Sequence, residues 1–380
     1  MRMRRTGLEE GEEKVTTMIK VRDGKRRARA GRGITVALTS VAVVLALAVP
    51  GLASTRGGSG ILNGAGSTFD NPFFTSAFYT YHQTHPSVTI NYAAVGSGAG
   101  IAQFQAGTVN FGATDVPMTA DQIAQARGAT LQVPVALGGV SVIYHLTGFG
   151  RGIRLTKGTL ANIFLGQVRY WDDHAIASQN PTLHLPHTPI AVVHRSDGSG
   201  TTYIFTDALA HFSSSWASGP GTSTTVNWPT GVGASGSSGV AALVSQTNGA
   251  IGYVELSYAK SNHITFARVQ NTAGNFISPG PNSIASAASD FPQVSAAHFS
   301  IVNASGDRSY PICGYSWLLI YKVQTDANNG LALAQVANWL THAGQALGKP
   351  LLYVPLPASI QALALTTLKK MVDSHGHPFL

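Results

Sequence analysis

The sequence has little charge and almost no cysteine. Only 11% of its 380 residues are charged, whereas 44% are hydrophobic. This composition excludes a disordered chain, which has few apolar residues and much charge. The single cysteine, Cys313, excludes a disulfide within the monomer and leaves no cysteine near the N-terminus for a lipid anchor. The length suffices for two domains, each with its own core.

The chain also lacks a basic stripe of the kind that grips nucleic acid. Residues 1–53 hold 11 Lys/Arg and 5 Asp/Glu, which accounts for +6 of the net charge of +8. Residues 54–380 hold 14 Lys/Arg and 12 Asp/Glu, a balance of only +2. We therefore expect no nucleic-acid partner.

Motifs for catalysis and for metal binding are missing. No His-Glu-x-x-His sequence occurs among the 13 histidines. Ser199 lacks the Gly-x-Ser-x-Gly frame of a nucleophilic serine, because Asp197 and Thr201 occupy the positions of the two glycines. The sequence therefore predicts no catalytic residue and no metal ligand.

Nucleotide motifs are equally weak. No Gly-Lys-Ser/Thr loop is present, so the chain does not carry its own ATPase site. The pattern Gly231-x-Gly233-x-x-Gly236 mimics a dinucleotide fingerprint, but it follows Asn227-Trp228-Pro229 and not a buried strand. We therefore expect no cofactor.

The first 53 residues have the pattern of an export signal. A basic stretch at residues 25–32 precedes an uncharged apolar run at 34–53, which ends in small residues. Cleavage would leave a chain that begins near Val49 or Ser54. The alternative is an uncleaved anchor, since about 20 apolar residues can span a bilayer. Either way, we expect the remaining chain outside the cytoplasmic membrane, periplasmic or at the cell surface.

Local patterns predict an α/β fold. Apolar strand-like segments alternate with Gly/Ser/Thr turns and helix starts, an order typical of a mostly parallel sheet whose loops face a ligand. Residues 212–239 are rich in Gly, Ser and Thr, and we expect surface loops there. The predicted strands lie near 61–66, 88–92, 109–113, 137–144, 190–194 and 317–321, and the predicted helices near 73–81, 101–105 and 203–210.

Three turns share one design, with small residues and hydroxyls immediately before a helix. They are residues 64–69, 96–98 and 197–201. A helix N-terminus presents unpaired N–H donors and the positive end of the helix dipole, so each turn is a candidate anion site. The alternative for each is an ordinary helix cap.

Arg195 and Asp115 add charge to these turns. Arg195 directly follows an apolar strand, and its planar guanidinium can hold two oxyanion oxygens while Asp197 orients it. The alternative is a surface ion pair of little energetic value. Asp115 would repel a fully ionised anion but can accept a hydrogen bond from phosphate, which keeps a proton near neutral pH, whereas sulfate keeps none. Its alternative is a cap for a helix that begins near Thr119.

These residues resemble the periplasmic phosphate-binding proteins of bacterial ABC-type phosphate transporters, from about Leu62 to the C-terminus. The resemblance rests on several separate motifs spread along the chain. They are residues 64–69 (GAGSTF), 111–115 (FGATD), 165–166 (LG), 170–176 (YWDDHAI), 195–201 (RSDGSGT) and 249–255 (GAIGYVE).

The resemblance implies a two-lobed periplasmic-binding-protein-like fold of type II. Residues 54–135 and 311–380 would form one lobe and 136–310 the other, with hinge crossings near Val135 and Tyr310-Pro311. Phosphate would be the ligand, and permease subunits with a cytoplasmic ATPase would be the partners of a monomeric receptor. A secreted phosphatase-like or phosphate-sensing protein on the same scaffold is the alternative.

By motif position, the resemblance also implies the binding residues. The first lobe would contribute Thr68, Phe69 (through its N–H), Ser97 and Asp115; the second would contribute Arg195, Ser199, Gly200 and Thr201, with Asp197 orienting the arginine. The chain departs from the family after Phe69, where proline is usual. Asp70 and Asn71 precede Pro72 here, which places a carboxylate near the expected anion.

Overall fold

A computed structural model describes residues 57–150 and 152–380. The predicted export signal, residues 1–53, lies outside the described residues. The strands are β1 (Gly60–Gly66), β2 (Val88–Ala94), β3 (Phe111–Thr114), β4 (Thr130–His145), β5 (Arg154–Leu155), β6 (Ala191–Arg195), β7 (Val232–Ala234), β8 (Ala250–Glu255), β9 (Thr265–Phe266), β10 (Arg268–Gln270), β11 (Phe276–Ile277), β12 (Cys313–Tyr321), β13 (Val323–Gln324) and β14 (Val372–Asp373).

Helices flank these strands. They are α1 (Asn71–Thr84), α2 (Ser97–Gln105), α3 (Ala120–Ala124), α4 (Lys157–Phe164), α5 (His174–Ala177), α6 (Gly200–Phe212), α7 (Ser214–Ser218), α8 (Gly236–Gln246), α9 (Leu256–Ser261), α10 (Pro281–Ser289), α11 (Ala327–Thr341) and α12 (Ala358–Leu368), with a 3-10 helix at Ala343–Leu351. None of the helices within the described ranges is both long and apolar enough to cross a membrane.

The main sheet is mixed. Its strand order is β2-β1-β3-β12-β4-β8-β6-β7, and β9 pairs with β4 at the side. The pairs β1–β2, β1–β3, β6–β8 and β6–β7 are parallel, whereas β12 and β4 are antiparallel to their neighbours. The α/β prediction is confirmed, although antiparallel pairs in the middle of the sheet make it less parallel than expected.

Strand β4 links the two halves of this sheet. Residues 130–139 pair with β12, and residues 140–145 pair with β8. Its buried side chains form a nearly continuous run, which is why the sequence reads as one long apolar strand. The described residues belong to one compact unit, so the lobe boundaries expected at residues 135 and 310 stay a prediction.

Helix α1 shows how the sequence selects an element. Pro72 lies in its first turn, where a missing N–H costs nothing. Phe73, Phe74, Ala77, Phe78 and Tyr81 recur at helical spacing and are all buried. The prediction of this helix is confirmed.

The prediction of surface loops at 212–239 is wrong in part. This segment contains α7, β7 and the start of α8. Trp216 is fully buried, and its indole N–H donates to the carbonyl of Gly221 at 2.9 Å. A composition rich in Gly and Ser suggested loops, but tertiary packing against one tryptophan orders the segment.

The topology brings the Gly/Ser turns together. Strands β1, β2 and β3 are parallel, so their carboxyl ends lie at one edge of the first half of the sheet. Strands β6, β7 and β8 are parallel in the same way in the second half. Loops at the carboxyl ends of parallel strands are the usual place for a ligand in such sheets.

Candidate functional site

The turn after β1 is held in one conformation by backbone contacts. Gly66 has φ +145°, and a Cβ there would lie 2.0 Å from the carbonyl oxygen of Ala113. Only glycine fits that position. The N–H of Ser67 donates to the same carbonyl at 2.8 Å, so the turn is fixed against β3.

Three tyrosines fix the next three carbonyl groups of this turn. The hydroxyl of Tyr92 donates to Ser67 O at 2.7 Å, and that of Tyr258 donates to Thr68 O at 2.8 Å. Tyr353 donates to the carbonyl of Phe69. Burial raises the pKa of all three tyrosines, so they stay neutral donors. These bonds tie the turn to β2, to α9 and to the segment after the 3-10 helix.

Arg195 lies at the end of β6 and is almost fully buried, with 2% of its side chain exposed. Its Nε donates to Asp197 Oδ1 at 2.7 Å, and its Nη2 pairs with Asp197 Oδ2. Burial opposes ionisation of Asp197, but the bonds from Arg195 lower its pKa below the ordinary value. This two-bond contact is what an orienting residue must make, and the alternative of a surface ion pair is wrong.

The Nη1 group of Arg195, which does not contact Asp197, points toward the turn after β1. Its Nη1 donates to Thr68 Oγ1 at 3.1 Å and to Ser237 Oγ at 3.3 Å. The two hydroxyls lie 2.7 Å apart. All three side chains are buried, so the guanidinium charge is directed into a buried cluster of hydroxyls, where charge interactions are stronger than in water.

Asp115 directly follows β3 and is buried at 2% exposure. Its carboxylate accepts from the hydroxyls of Ser67, Ser316 (2.9 Å) and Thr201 (3.3 Å). Burial raises the pKa of Asp115 to about 6, although these donors and Arg195 favour the ionised form. The helix-cap alternative is wrong, because Thr119 caps α3 with its own side chain.

The remaining predicted residues surround Asp115. The Ser97 hydroxyl accepts from Asp115 N at 3.3 Å, and a Cβ on Gly200 would lie 2.7 Å from that hydroxyl. Ser199 is the N-cap of α6, and its hydroxyl accepts from Thr202 N at 3.1 Å. The alternative of a helix cap is therefore correct for this serine. The N–H of Phe69 donates to Ser67 Oγ at 2.9 Å in this structure.

Ser237 was not among the predicted site residues. Its hydroxyl is 1% exposed and lies in the first turn of α8, directly after β7 and Gly236. The sequence did contain a signal for it. The glycines at 231, 233 and 236 lie in and around β7 and the start of α8, which is a fourth instance of a strand, a Gly/Ser turn and a helix start. The expectation that no buried strand precedes these glycines agrees with the structure, because β7 lies within the pattern and its residues are exposed or only partly buried.

The structure also shows two buried acids for which the sequence predicted no role. Asp70 and Glu255 are both 0% exposed, and one oxygen of each (Asp70 Oδ1 and Glu255 Oε1) has no hydrogen-bond partner. Burial raises the pKa of Asp70 well above its ordinary value and that of Glu255 to about 8. Asp70 interacts electrostatically with Asp115, and Glu255 interacts with Asp70 and with Tyr258, whose hydroxyl bonds to the carbonyl of Thr68.

One group with metal-ligand chemistry lies in the C-terminal turn. Donor atoms of Asp373, His375 and His377 lie within 4.8 Å of one another. Asp373 already accepts from the backbone N–H of both histidines, at 2.8 and 2.9 Å. The turn itself therefore explains this cluster, and the absence of a metal ligand stays a prediction.

Comparison with known proteins places the chain in a family. The PBP superfamily domain matches residues 53–343. The chain is 41% identical to the phosphate-binding protein PstS of Xylella fastidiosa over 302 residues, which cover 79% of this chain and 82% of that protein. The chain belongs to the PstS family of phosphate-binding proteins. A PstS protein of Methanocaldococcus jannaschii is 34% identical and covers 82% of this chain and 87% of its own length.

Solved structures show that the fold is shared more widely than the sequence. A high-affinity periplasmic phosphate-binding protein has a TM-score of 0.64 at 20% identity, covering 84% of this chain and all of that one. A human phosphate-binding apolipoprotein has a TM-score of 0.65 at 23% identity, covering 80% of this chain and 93% of that one. The expected periplasmic-binding-protein-like fold is therefore confirmed.

Proposed function

We propose that this PstS-family chain is a receptor that encloses one inorganic phosphate ion between the two edges of its sheet. The observation that carries the proposal is the convergence of Arg195 from β6 with Thr68 after β1, next to the acceptor Asp115. A buried guanidinium, several hydroxyls and one carboxylate together match an oxyanion that still bears a proton.

Charge alone does not make this an anion site. Arg195 is already paired with Asp197, and Asp115 adds a negative charge. Binding therefore depends on directed donors, namely the hydroxyls and the N–H groups at the starts of α2, α6 and α8. We propose that Thr68, Phe69, Ser97, Arg195, Ser199, Gly200, Thr201 and Asp115 bind the ion, that Asp197 orients Arg195, and that Ser237 joins them.

Asp115 would give the site its selectivity. A carboxylate can accept the hydrogen bond of hydrogen phosphate, whereas sulfate at neutral pH presents no hydrogen and leaves two bare oxygens in contact. The hydroxyls of Ser67 and Ser316 bond to one oxygen of Asp115. This fixes the carboxylate, while its Oδ2, which accepts only a longer bond of 3.3 Å from Thr201, would take the hydrogen bond of the ligand.

Entry of the ion requires the two halves to separate. We propose that this structure, in which the turns are in direct contact, is the closed form. Residues 54–135 with 311–380 would form one lobe and 136–310 the other, with the crossings in β4 and before β12 as the hinge. Small-angle scattering should show a smaller radius of gyration with phosphate than without it. An unchanged radius would contradict hinge closure.

The physiological role would be phosphate uptake. A receptor outside the membrane would hand its ion to permease subunits driven by a cytoplasmic ATPase, and we expect the receptor to be a monomer without a nucleic-acid partner. Export would depend on residues 1–53. Intact-mass measurement of the protein from its native host should give a chain that begins near Val49 or Ser54. A mass that retains the first 53 residues would indicate a membrane anchor.

A phosphatase-like protein on the same scaffold is the competing function. Calorimetric titration with phosphate, paired with a turnover assay on a phosphate ester, separates the two. A receptor binds phosphate with one ion per chain and releases none from the ester. Catalytic release of phosphate would favour the enzyme, and saturable binding without any effect on uptake in the host would favour a sensor.

A further inference from the structure

Asp70 lies directly behind the proposed ligand site, and its surroundings are unusual for an ionised acid. It is 0% exposed, and its Oδ1 has no hydrogen-bond partner. Its Oδ2 lies 2.5 Å from the hydroxyl of Ser316. Within the described ranges, no other side chain forms a hydrogen bond with Asp70. A buried carboxylate with one partner would be strongly destabilising.

Ser316 stands between two carboxyl groups. The same hydroxyl lies 2.9 Å from Asp115 Oδ1 and 3.1 Å from the carbonyl oxygen of Thr114. A serine has one hydroxyl hydrogen, so it cannot donate to Asp70 and Asp115 together. With both acids ionised, one of these short contacts would join two oxygens without any hydrogen. One additional proton on a carboxyl group satisfies both contacts.

Asp70 is the better site for this proton than Asp115. Asp115 has two further hydroxyl donors, Ser67 and Thr201, and lies near the charge of Arg195, all of which favour its ionised form. Asp70 has none of these. Burial raises the pKa of Asp70 well above its ordinary value, and the nearby Asp115 and Glu255 raise it further.

The other groups that interact electrostatically with Asp70 do not change this assignment. They are Tyr92, Tyr258 and Tyr353. Each donates its hydroxyl hydrogen to a carbonyl of the turn at residues 67–69. None of the three has a second hydroxyl hydrogen for Asp70.

We propose that Asp70 is a protonated positioning residue: its carboxyl donates to Ser316, which donates to Asp115 and thereby holds Asp115 as a hydrogen-bond acceptor for the ligand. This relay rests on the proposed function of Asp115 as the acceptor for phosphate. A neutral Asp70 also removes a second negative charge from behind the anion. The relay therefore orients Asp115 for its hydrogen bond to phosphate and also lowers the negative charge of the site.

Phosphate titrations of three variants test the relay. Asp70→Leu and Ser316→Ala each remove one link, and each should weaken phosphate binding about tenfold, the loss of one charge-assisted bond. Asp70→Asn keeps a donor toward Ser316 without a charge, so it should restore most of the affinity that leucine loses. Tighter binding by Asp70→Asn than by the wild type would overturn the proposal, because it would mean that Asp70 is ionised. Wild-type affinity in Asp70→Leu would overturn it as well.

Infrared spectroscopy of the phosphate-free protein tests the proton itself. The wild type at neutral pH should show the carbonyl stretch of protonated carboxylic acids, and Asp70→Asn should lose one acid's share of that band. Asp307→Asn, at an exposed position, should leave the band unchanged. An undiminished band in Asp70→Asn would overturn the proposal. This readout needs no ligand and decides the matter even if Asp70→Leu does not fold, so a failure of the relay is distinguishable from a failure of phosphate binding.

Discussion

The backbone N–H of Gly98 donates to the carbonyl oxygen of Gly198 at 2.9 Å. This bond joins the start of α2 to the turn before α6, across the two halves of the sheet. A Cβ on Gly98 would lie 3.1 Å from Cα of Gly198. The glycines therefore allow a backbone-to-backbone contact that a side chain would disturb, and we expect closure of the proposed lobes to depend on that contact.

Gly200→Ala should impair closure. Its Cβ would lie 2.6 Å from Asp115 Cβ and 2.7 Å from Asp115 N, too close for the backbone to accept without movement. We expect phosphate affinity to fall by at least about tenfold, which corresponds to about 1.4 kcal/mol. The matched control is Gly158→Ala in α4, where a Cβ meets nothing within 4 Å. Equal affinities of the two variants in calorimetry would contradict the closed site.

Arg195→Ala should remove the largest single contribution to binding. Charge-assisted hydrogen bonds are worth about 1.5–3 kcal/mol each, and the guanidinium can direct more than one at the ion. Phosphate affinity should therefore fall at least about a hundredfold. Arg308→Ala, at an exposed position, is the control for a lost positive charge. If both variants weaken binding equally, long-range charge and not contact explains the effect.

Asp115→Asn should change selectivity more than affinity. The amide keeps the shape of the side chain, removes its charge and can donate to a fully ionised oxyanion. Phosphate should still bind, while sulfate, formerly opposed by the carboxylate, should gain affinity. Competition titrations with both anions at neutral pH measure this. An unaltered preference for phosphate would show that Asp115 does not select the ligand.

Glu255→Gln should stabilise the protein at alkaline pH. Burial raises the pKa of Glu255 from an ordinary 4.5 to about 8 in the folded state. The stability that its protonated form contributes is complete below about pH 4.5 and is lost as the pH rises toward 8. Glutamine stays neutral throughout. Its advantage in Tm should be near zero at pH 4.5 and reach at least about 3 °C by pH 8.5.

Thermal unfolding at several pH values measures how the Tm advantage of Glu255→Gln depends on pH. Asp307→Asn, at an exposed position, is the control. An advantage of Glu255→Gln that is the same at pH 4.5 and 8.5 would show that titration of Glu255 is not its cause.

Local patterns predicted much of the fold and part of the site. The turns after β1, β2 and β6 could be found because each has glycines and hydroxyls between an apolar strand and a helix. Such a pattern lies within about ten residues of sequence. The same logic would have found Ser237, had the glycines at 231–236 been compared with the other turns.

The residues that no local pattern indicates reach the site through long-range contacts. Ser316 lies 201 positions from Asp115 along the chain and is one polar residue in a buried strand. It reaches both acids at an irregularity in the pairing of β12 with β4, between Ser316 and Trp317. Tyr258 and Tyr353 likewise contact the first turn from distant elements. Only tertiary structure shows which buried hydroxyl meets which partner.

The position of the bound ion tests the central claim most directly. Arsenate has nearly the shape of phosphate and also keeps a proton, and its arsenic atom scatters X-rays anomalously. A crystal of the complex should give one anomalous peak within hydrogen-bond distance of Arg195, Thr68 and Asp115, enclosed between the two edges of the sheet. A peak on the outer surface, or none between these three side chains, would contradict the account.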